Sequence, residues 1–339
     1  MKRSVLCLVM MMMLFSGICF AAQPAGTLTF TLTPAVEKGS KHADLWVPYP
    51  MSDEFQTISN ISVTGNYTAS GIYRDPASDA VYLHAAWNDL SQAPKCTMQF
   101  HITQKDRRNN NIKDNGAKFP AIVSKYLGES LFVPAMDPDL QKIAAGATKG
   151  KETTLDKAMA IYDWVVENTF RDPAVKGCGL GSPTRTLQQC KGGGKCADLS
   201  AVFVTLLRAA NIPARDVYGL RLGSPKDGDV TSGFHCWAEF YLPGTGWVMA
   251  DPADVRKMML VHKLELKDAA TEEWRKFFWG GDDLFRLVLE KNSRGVNLNG
   301  ADGPIPYFMY PAARVDGKMR NYFDAKTFSY NVKFKADQM

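Results

Sequence analysis

Cys196, His235 and Asp251 are the side chains of this sequence best suited to act together chemically. Cys196 follows a glycine run in Gly192-Gly193-Gly194-Lys195-Cys196-Ala197-Asp198-Leu199-Ser200. His235 stands in Gly233-Phe234-His235-Cys236-Trp237-Ala238-Glu239, and Asp251 closes Gly246-Trp247-Val248-Met249-Ala250-Asp251-Pro252. A thiol, an imidazole and a carboxylate are the parts of a cysteine nucleophile activated by a His–Asp pair. A thiol attacks only as thiolate. Its usual pKa of about 8.5 falls to roughly 3.5–7.5 at a helix N-terminus or beside imidazolium. Cys196 would have both influences, because a helix start carries partial positive charge. Its own amide could donate to an oxyanion.

The elements that must position these groups are readable. Gly192 to Gly194 resist helix, since glycine loses the most backbone freedom on ordering. From Cys196 onward Leu199, Val202, Phe203, Leu206, Leu207 and Ala210 recur at helical spacing, and Asn211 with Ile212-Pro213 ends the run. Phe234–Leu242 and Trp247–Asp251 form a hairpin across Pro243-Gly244-Thr245-Gly246. His235, Trp237, Glu239 and Tyr241 then share one face, as do Trp247, Met249 and Asp251 on the partner. If Tyr241 opposes Trp247, His235 lies diagonal to Asp251; a two-residue shift sets them directly opposite. A one-residue slip would separate them. An earlier helix starts at Thr153 and Asp156, which make a capping-box-like pair. Arg215–Arg221, Leu284–Leu289 and Tyr322–Lys335 give further strand signals.

The wording around these residues resembles the bacterial transglutaminase-like superfamily. Gly194 to Ser200, followed by Leu206-Leu207-Arg208-Ala209-Ala210-Asn211-Ile212-Pro213-Ala214-Arg215, is similar to its nucleophile helix and following strand. His235-Cys236-Trp237-Ala238-Glu239, then Gly246-Trp247 and Asp251-Pro252, is similar to its His and Asp motifs. The resemblance covers residues 150 to 260 best. It implies an α+β fold, with a papain-like core in which the nucleophile helix packs on an antiparallel sheet. It also implies Cys196 as nucleophile, His235 as general base and acid, and Asp251 as the orienting carboxylate. Two departures stand out. Cys236 replaces a small residue and should point away from His235. Asp-Pro-Ala-Asp makes Asp254 a second candidate carboxylate. Gln189, seven residues before Cys196, is the candidate oxyanion donor besides the Cys196 amide.

The rest of the chain sets the context. Residues 23–105 alternate with period two between Pro, Gly and Asn punctuation and read as an all-β sandwich. Residues 106–150 read as a linker with connecting helices, 151–320 as the catalytic core and 321–339 as a C-terminal strand. Residues 1–22, with Lys2, Arg3 and the apolar Val5–Phe20, read as a secretory signal peptide. No later segment is long and apolar enough to span a bilayer. Removing Lys2 and Arg3 lowers the formal charge from +5 to +3, too mild to indicate a nucleic-acid partner.

Cys96, Cys178, Cys190, Cys196 and Cys236 remain after cleavage. In an oxidising compartment an odd count leaves at least one thiol free, and Cys178 with Cys190 is the expected bridge. No Cys/His spacing matches a zinc site, and no cofactor is expected. The resulting expectation is a periplasmic or secreted cysteine enzyme that hydrolyses a peptide or related amide through a thioester. A protein-glutamine transamidase or deamidase, and a non-catalytic binding module, are the alternatives.

Overall fold

Alternating residues build the first strand as expected. In β1 (Ala25–Pro34) Leu28, Phe30 and Leu32 are buried, and the threonines between them are partly exposed. The computed structural model describes residues 24–223, 226–281, 283–291 and 294–338. The expected signal peptide lies outside these residues. After β1 come β2 (Ala43–Pro48), β3 (Gln56–Gly65), β4 (Ala69–Arg74), β5 (Val81–Trp87) and β6 (Cys96–Gln104). Helices α1 (Pro138–Ala147) and α2 (Thr154–Asn168) follow, then the two-residue strands β7 (Phe170–Arg171) and β8 (Gly193–Gly194), and α3 (Cys196–Ala209). The chain continues through β9 (Ala214–Arg221), β10 (Gly228–Asp229), β11 (Phe234–Leu242), β12 (Gly246–Ala250), α4 (Pro252–His262) and α5 (Ala269–Phe277). It ends with β13 (Arg286–Lys291), β14 (Ala312–Val315), β15 (Lys318–Met319) and β16 (Phe328–Ala336).

Two five-stranded sheets, ordered β10-β16-β1-β6-β3 and β15-β14-β2-β5-β4, face each other. Leu28 and Phe100 from one, and Leu45 and Leu83 from the other, belong to a single core. This strand-rich body is not confined to residues 23–105. Phe30 pairs with Val332 of β16, and Leu45 pairs with Ala313 of β14, so the C-terminal strands complete both sheets.

A four-stranded antiparallel sheet, β12-β11-β9-β13, carries the second half of the fold. Helix α3 packs on β11 and β9 and is covered by α1, α2 and α4. That sandwiching explains why every residue from Cys196 to Arg208 is buried. Val202, Phe203 and Leu206 of α3 meet Ala238 and Phe240 of β11 in this core. The α+β core with a nucleophile helix on an antiparallel sheet is therefore present. The Asp-Pro at 251–252, expected as the end of a strand, instead opens α4: Asp251 is the N-cap and Pro252 the first helical residue. No helix among the described residues is long and apolar enough to cross a membrane.

Candidate active site

The residues before α3 explain how its first turn is held. β8 pairs in parallel with β7, so Gly193 and Gly194 lie beside Phe170 and Arg171. Asp172 N–H donates to Gly194 O at 2.9 Å. The chain then returns over the helix start, where Ala197 N–H donates to Cys178 O at 2.8 Å. Asp198 fastens both segments: its carboxylate accepts from the amides of Lys195 (3.0 Å), Leu180 (2.9 Å) and Gly181 (2.9 Å). Gly179 must be glycine here. Its φ is +97°, and a Cβ would lie 1.8 Å from Asp198 Oδ2.

The hairpin has the register in which Tyr241 opposes Trp247, and Ala238 opposes Ala250. Past Ala250 the chain turns into α4, and the Asp251 side chain comes back to His235. Asp251 Oδ2 lies 2.8 Å from His235 Nε2, and Oδ1 accepts from Asp254 N–H at 2.9 Å. The imidazole stacks on Trp237, with centroids 5.8 Å apart. With Nε2 engaged by Asp251, Nδ1 is the nitrogen left for another partner. His235 is close enough to Cys196 for its charge to act on the sulfur. Folding thus brings Cys196, His235 and Asp251 into one contact chain. All are nearly inaccessible, at 2 %, 1 % and 0 % exposure.

Burial alone would push the Cys196 thiol up. The neighbouring thiols of Cys178 and Cys236, and then the charge of His235, outweigh it and hold Cys196 well below the usual thiol range. Cys178 is pushed up chiefly by the neighbouring Cys196 sulfur, its own thiol donating to Phe234 O at 3.3 Å, and Cys236 moves upward chiefly through burial.

Comparison with known proteins gives the family. The family model described as the transglutaminase-like superfamily matches residues 141–252, which include all three residues. An uncharacterized Haemophilus influenzae protein is 34% identical over 336 residues, covering 91% of this chain and 90% of that protein. The chain belongs to the transglutaminase-like superfamily. The uncharacterized protein YebA of Bacillus subtilis is 29% identical over 126 residues, 33% of this chain and 17% of that one. A Cytophaga hutchinsonii protein provisionally described as a cysteine protease has a similar fold. Its TM-score is 0.57 at 14% identity, with 93% of this chain and 99% of that chain covered.

Within this transglutaminase-like core, some expected residues stand elsewhere. Gln189 ends a π-helical turn at Arg185–Gln189 with its side chain exposed, and no hydrogen bond joins it to Cys196, His235 or Asp251. Cys178 and Cys190 do not form the expected bridge; both are free thiols. The return over α3 carries Cys178 into the buried cluster with Cys196 and Cys236, whereas Cys190 stays partly exposed. Cys236, on the strand that carries His235, brings its sulfur to Cys196.

Arg286 is the residue that sequence reasoning missed. Fully buried, it pairs with Asp251 Oδ2 at 2.6 Å and Asp254 Oδ2 at 2.9 Å. Its guanidinium lies over Trp237, 5.3 Å from the ring centroid. Asp254 also pairs with Arg221 and stands 3.7 Å from His235 Nε2, so Asp251 is the direct partner of the imidazole. Burial opposes ionisation of Asp254, but the charges of His235, Arg221 and Arg286 hold it far below the usual carboxylate range.

An apolar cavity of about 680 Å³ opens beside the Cys178 segment, lined by Val175, Lys176, Leu180, Tyr307, Tyr310 and Phe323 among others. Its inner wall reaches the site, because Tyr310 interacts with Cys178.

Proposed function

We propose that this protein is an exported cysteine hydrolase that cleaves peptide or related amide bonds through a thioester. The observation that carries the reading is a thiol held below its ordinary range at a helix N-terminus, beside an imidazole whose far nitrogen is fixed by a carboxylate. In the reaction, Cys196 Sγ attacks the amide carbonyl, and the carbonyl electrons move onto oxygen. The amides on either side of the nucleophile are already committed, Lys195 N–H to Asp198 and Ala197 N–H to Cys178 O. That leaves the Cys196 amide, with the positive end of α3, to receive the oxyanion. His235 passes a proton to the departing amine. Water, deprotonated by the same imidazole, then opens the thioester and restores Cys196. Asp251 keeps the ring turned so that one nitrogen faces the sulfur throughout. The apolar cavity beside Cys178 suits an aromatic or aliphatic side chain of a peptide substrate.

The test is active-site labelling combined with turnover. Iodoacetamide should modify Cys196 selectively near neutral pH, and His235→Ala should abolish that selectivity. Cys196→Ala should remove hydrolysis of a peptide-amide library while leaving the melting curve cooperative. Hydrolysis that persists in Cys196→Ala would refute the assignment. Labelling with equal, slow kinetics at high pH in both proteins would point to the non-catalytic alternative.

A further inference from the structure

Three thiols meet at one point, which is more than a cysteine nucleophile requires. The Sγ atoms of Cys178, Cys196 and Cys236 all lie within 4.8 Å of one another. They come from three separate places: the return segment after β7, the first residue of α3, and β11. All three are nearly inaccessible, Cys236 at 0 %, Cys196 at 2 % and Cys178 at 3 % exposure. None of them is in a disulfide.

We propose that these three sulfurs form a coordination site for a soft monovalent cation, Cu(I), and that an ion bound there silences the nucleophile. Metal–sulfur bonds of about 2.3 Å place three sulfurs roughly 4 Å apart in a trigonal arrangement, so little movement is needed. Ligand softness selects the ion, because thiolates favour Cu(I) and zinc over oxygen-seeking cations. Ligand number also favours Cu(I): zinc needs a fourth ligand, from the protein or from water, whereas this group offers three nearly inaccessible sulfurs. The neighbouring donors, His235, Asp251 and Asp254, make a separate cluster already tied to Arg286 and Arg221. Binding releases thiol protons to solvent and involves no electron transfer. Cys196 Sγ cannot hold a cation and attack a carbonyl at once, so occupancy and alkylation exclude each other.

The experiment is an anaerobic Cu(I) titration of the full reduced chain against a chromogenic Cu(I) chelator, with iodoacetamide labelling of Cys196 read in parallel. One ion should bind tightly per chain and protect Cys196. Cys236→Ala and Cys178→Ala should each weaken binding by at least the ~100-fold that loss of even an outer-shell partner can cost. Cys190→Ala should leave the affinity unchanged. Cys236→Ser, close in size to cysteine, serves in place of the alanine variant if that one fails to fold. Equal affinity in wild type and the Cys178 and Cys236 variants would overturn the proposal, as would dependence on Cys190. Formation of a Cys178–Cys196 disulfide on copper addition, instead of a reversible complex, would also overturn it. Chelator competition does not depend on turnover, so the result stands apart from the hydrolase reading.

Discussion

Replacing Arg286 tests whether the carboxylate behind the imidazole is held by charge or merely by packing. Arg286→Met keeps most of the side-chain volume between Trp237 and Phe278, whose ring centroids lie 5.3 and 5.6 Å from the guanidinium. It removes the buried cation from Asp251 and Asp254. Breaking a buried pair by deleting one partner costs about 3–5 kcal/mol, because the other charge stays uncompensated. Asp254 still has Arg221, and Asp251 still has His235 and the Asp254 amide, so the expected loss lies near the lower end, about 3 kcal/mol at pH 7. The pH dependence follows from the depressed Asp254. A carboxyl whose folded pKa is lowered stabilises fully above the unfolded value of about 3.9, and that contribution is lost as pH falls through the folded pKa. Removing Arg286 raises the folded value, so the variant exhausts this contribution at a higher pH than wild type. The stability gap should therefore narrow on acidification through the carboxylate range. Urea unfolding followed by tryptophan fluorescence, at pH 7 and in steps below 5, measures both quantities. A gap under about 1 kcal/mol at pH 7 would refute the argument, since that is what a surface pair is worth. A gap of the expected size that does not change on acidification would show that packing, not charge, is responsible.

Because Cys196 is held below the ordinary thiol range, its alkylation rate should stay near its plateau as pH falls below about 8.5. A tenfold drop per pH unit beginning there would contradict this. Asp198→Ala strips the acceptor from the amides of Lys195, Leu180 and Gly181, and should cost about 3 kcal/mol in chemical denaturation. It should also loosen the Cys178 segment from α3, read as faster hydrogen exchange at the Leu180 and Gly181 amides; unchanged exchange there would contradict that role.

The parts of the fold that depend on local pattern were readable in the chain. The apolar spacing after Cys196 is α3, Thr153 accepts from the Asp156 amide as the cap of α2, and Tyr241 faces Trp247 in the hairpin. The period-two run after Ala25 is β1. What escaped depends on long-range pairing. β13 lies beside β9, so Arg286 stands directly across from Arg221, and both reach Asp254. No local signal marks that arginine, because its partners are supplied by α4, whose start at Asp251-Pro252 looks like the end of a strand. A buried cation is tolerable only when carboxylates surround it, so the second acidic residue of Asp251-Pro252-Ala253-Asp254 was the available clue.

The cysteines show the same limit more sharply. Spacing alone made Cys178 and Cys190 neighbours, because twelve residues close a loop at modest entropic cost. The fold divides them. β7 and β8 align in parallel, and the chain between them must loop out and return. Asp198 and the Ala197 amide capture the earlier part of that loop at the helix start, which buries Cys178. Cys190 lies just before the glycine run, on the limb that leads back into β8, and keeps its partial exposure. The side chain that anchors the loop is thus three residues from the nucleophile. The hydrogen bonds that shape the start of α3 therefore also decide which thiol stands beside Cys196. A substitution that frees this loop should disturb the nucleophile's ionisation together with the stability of the helix, since Cys178 is one of the neighbours that hold Cys196 down.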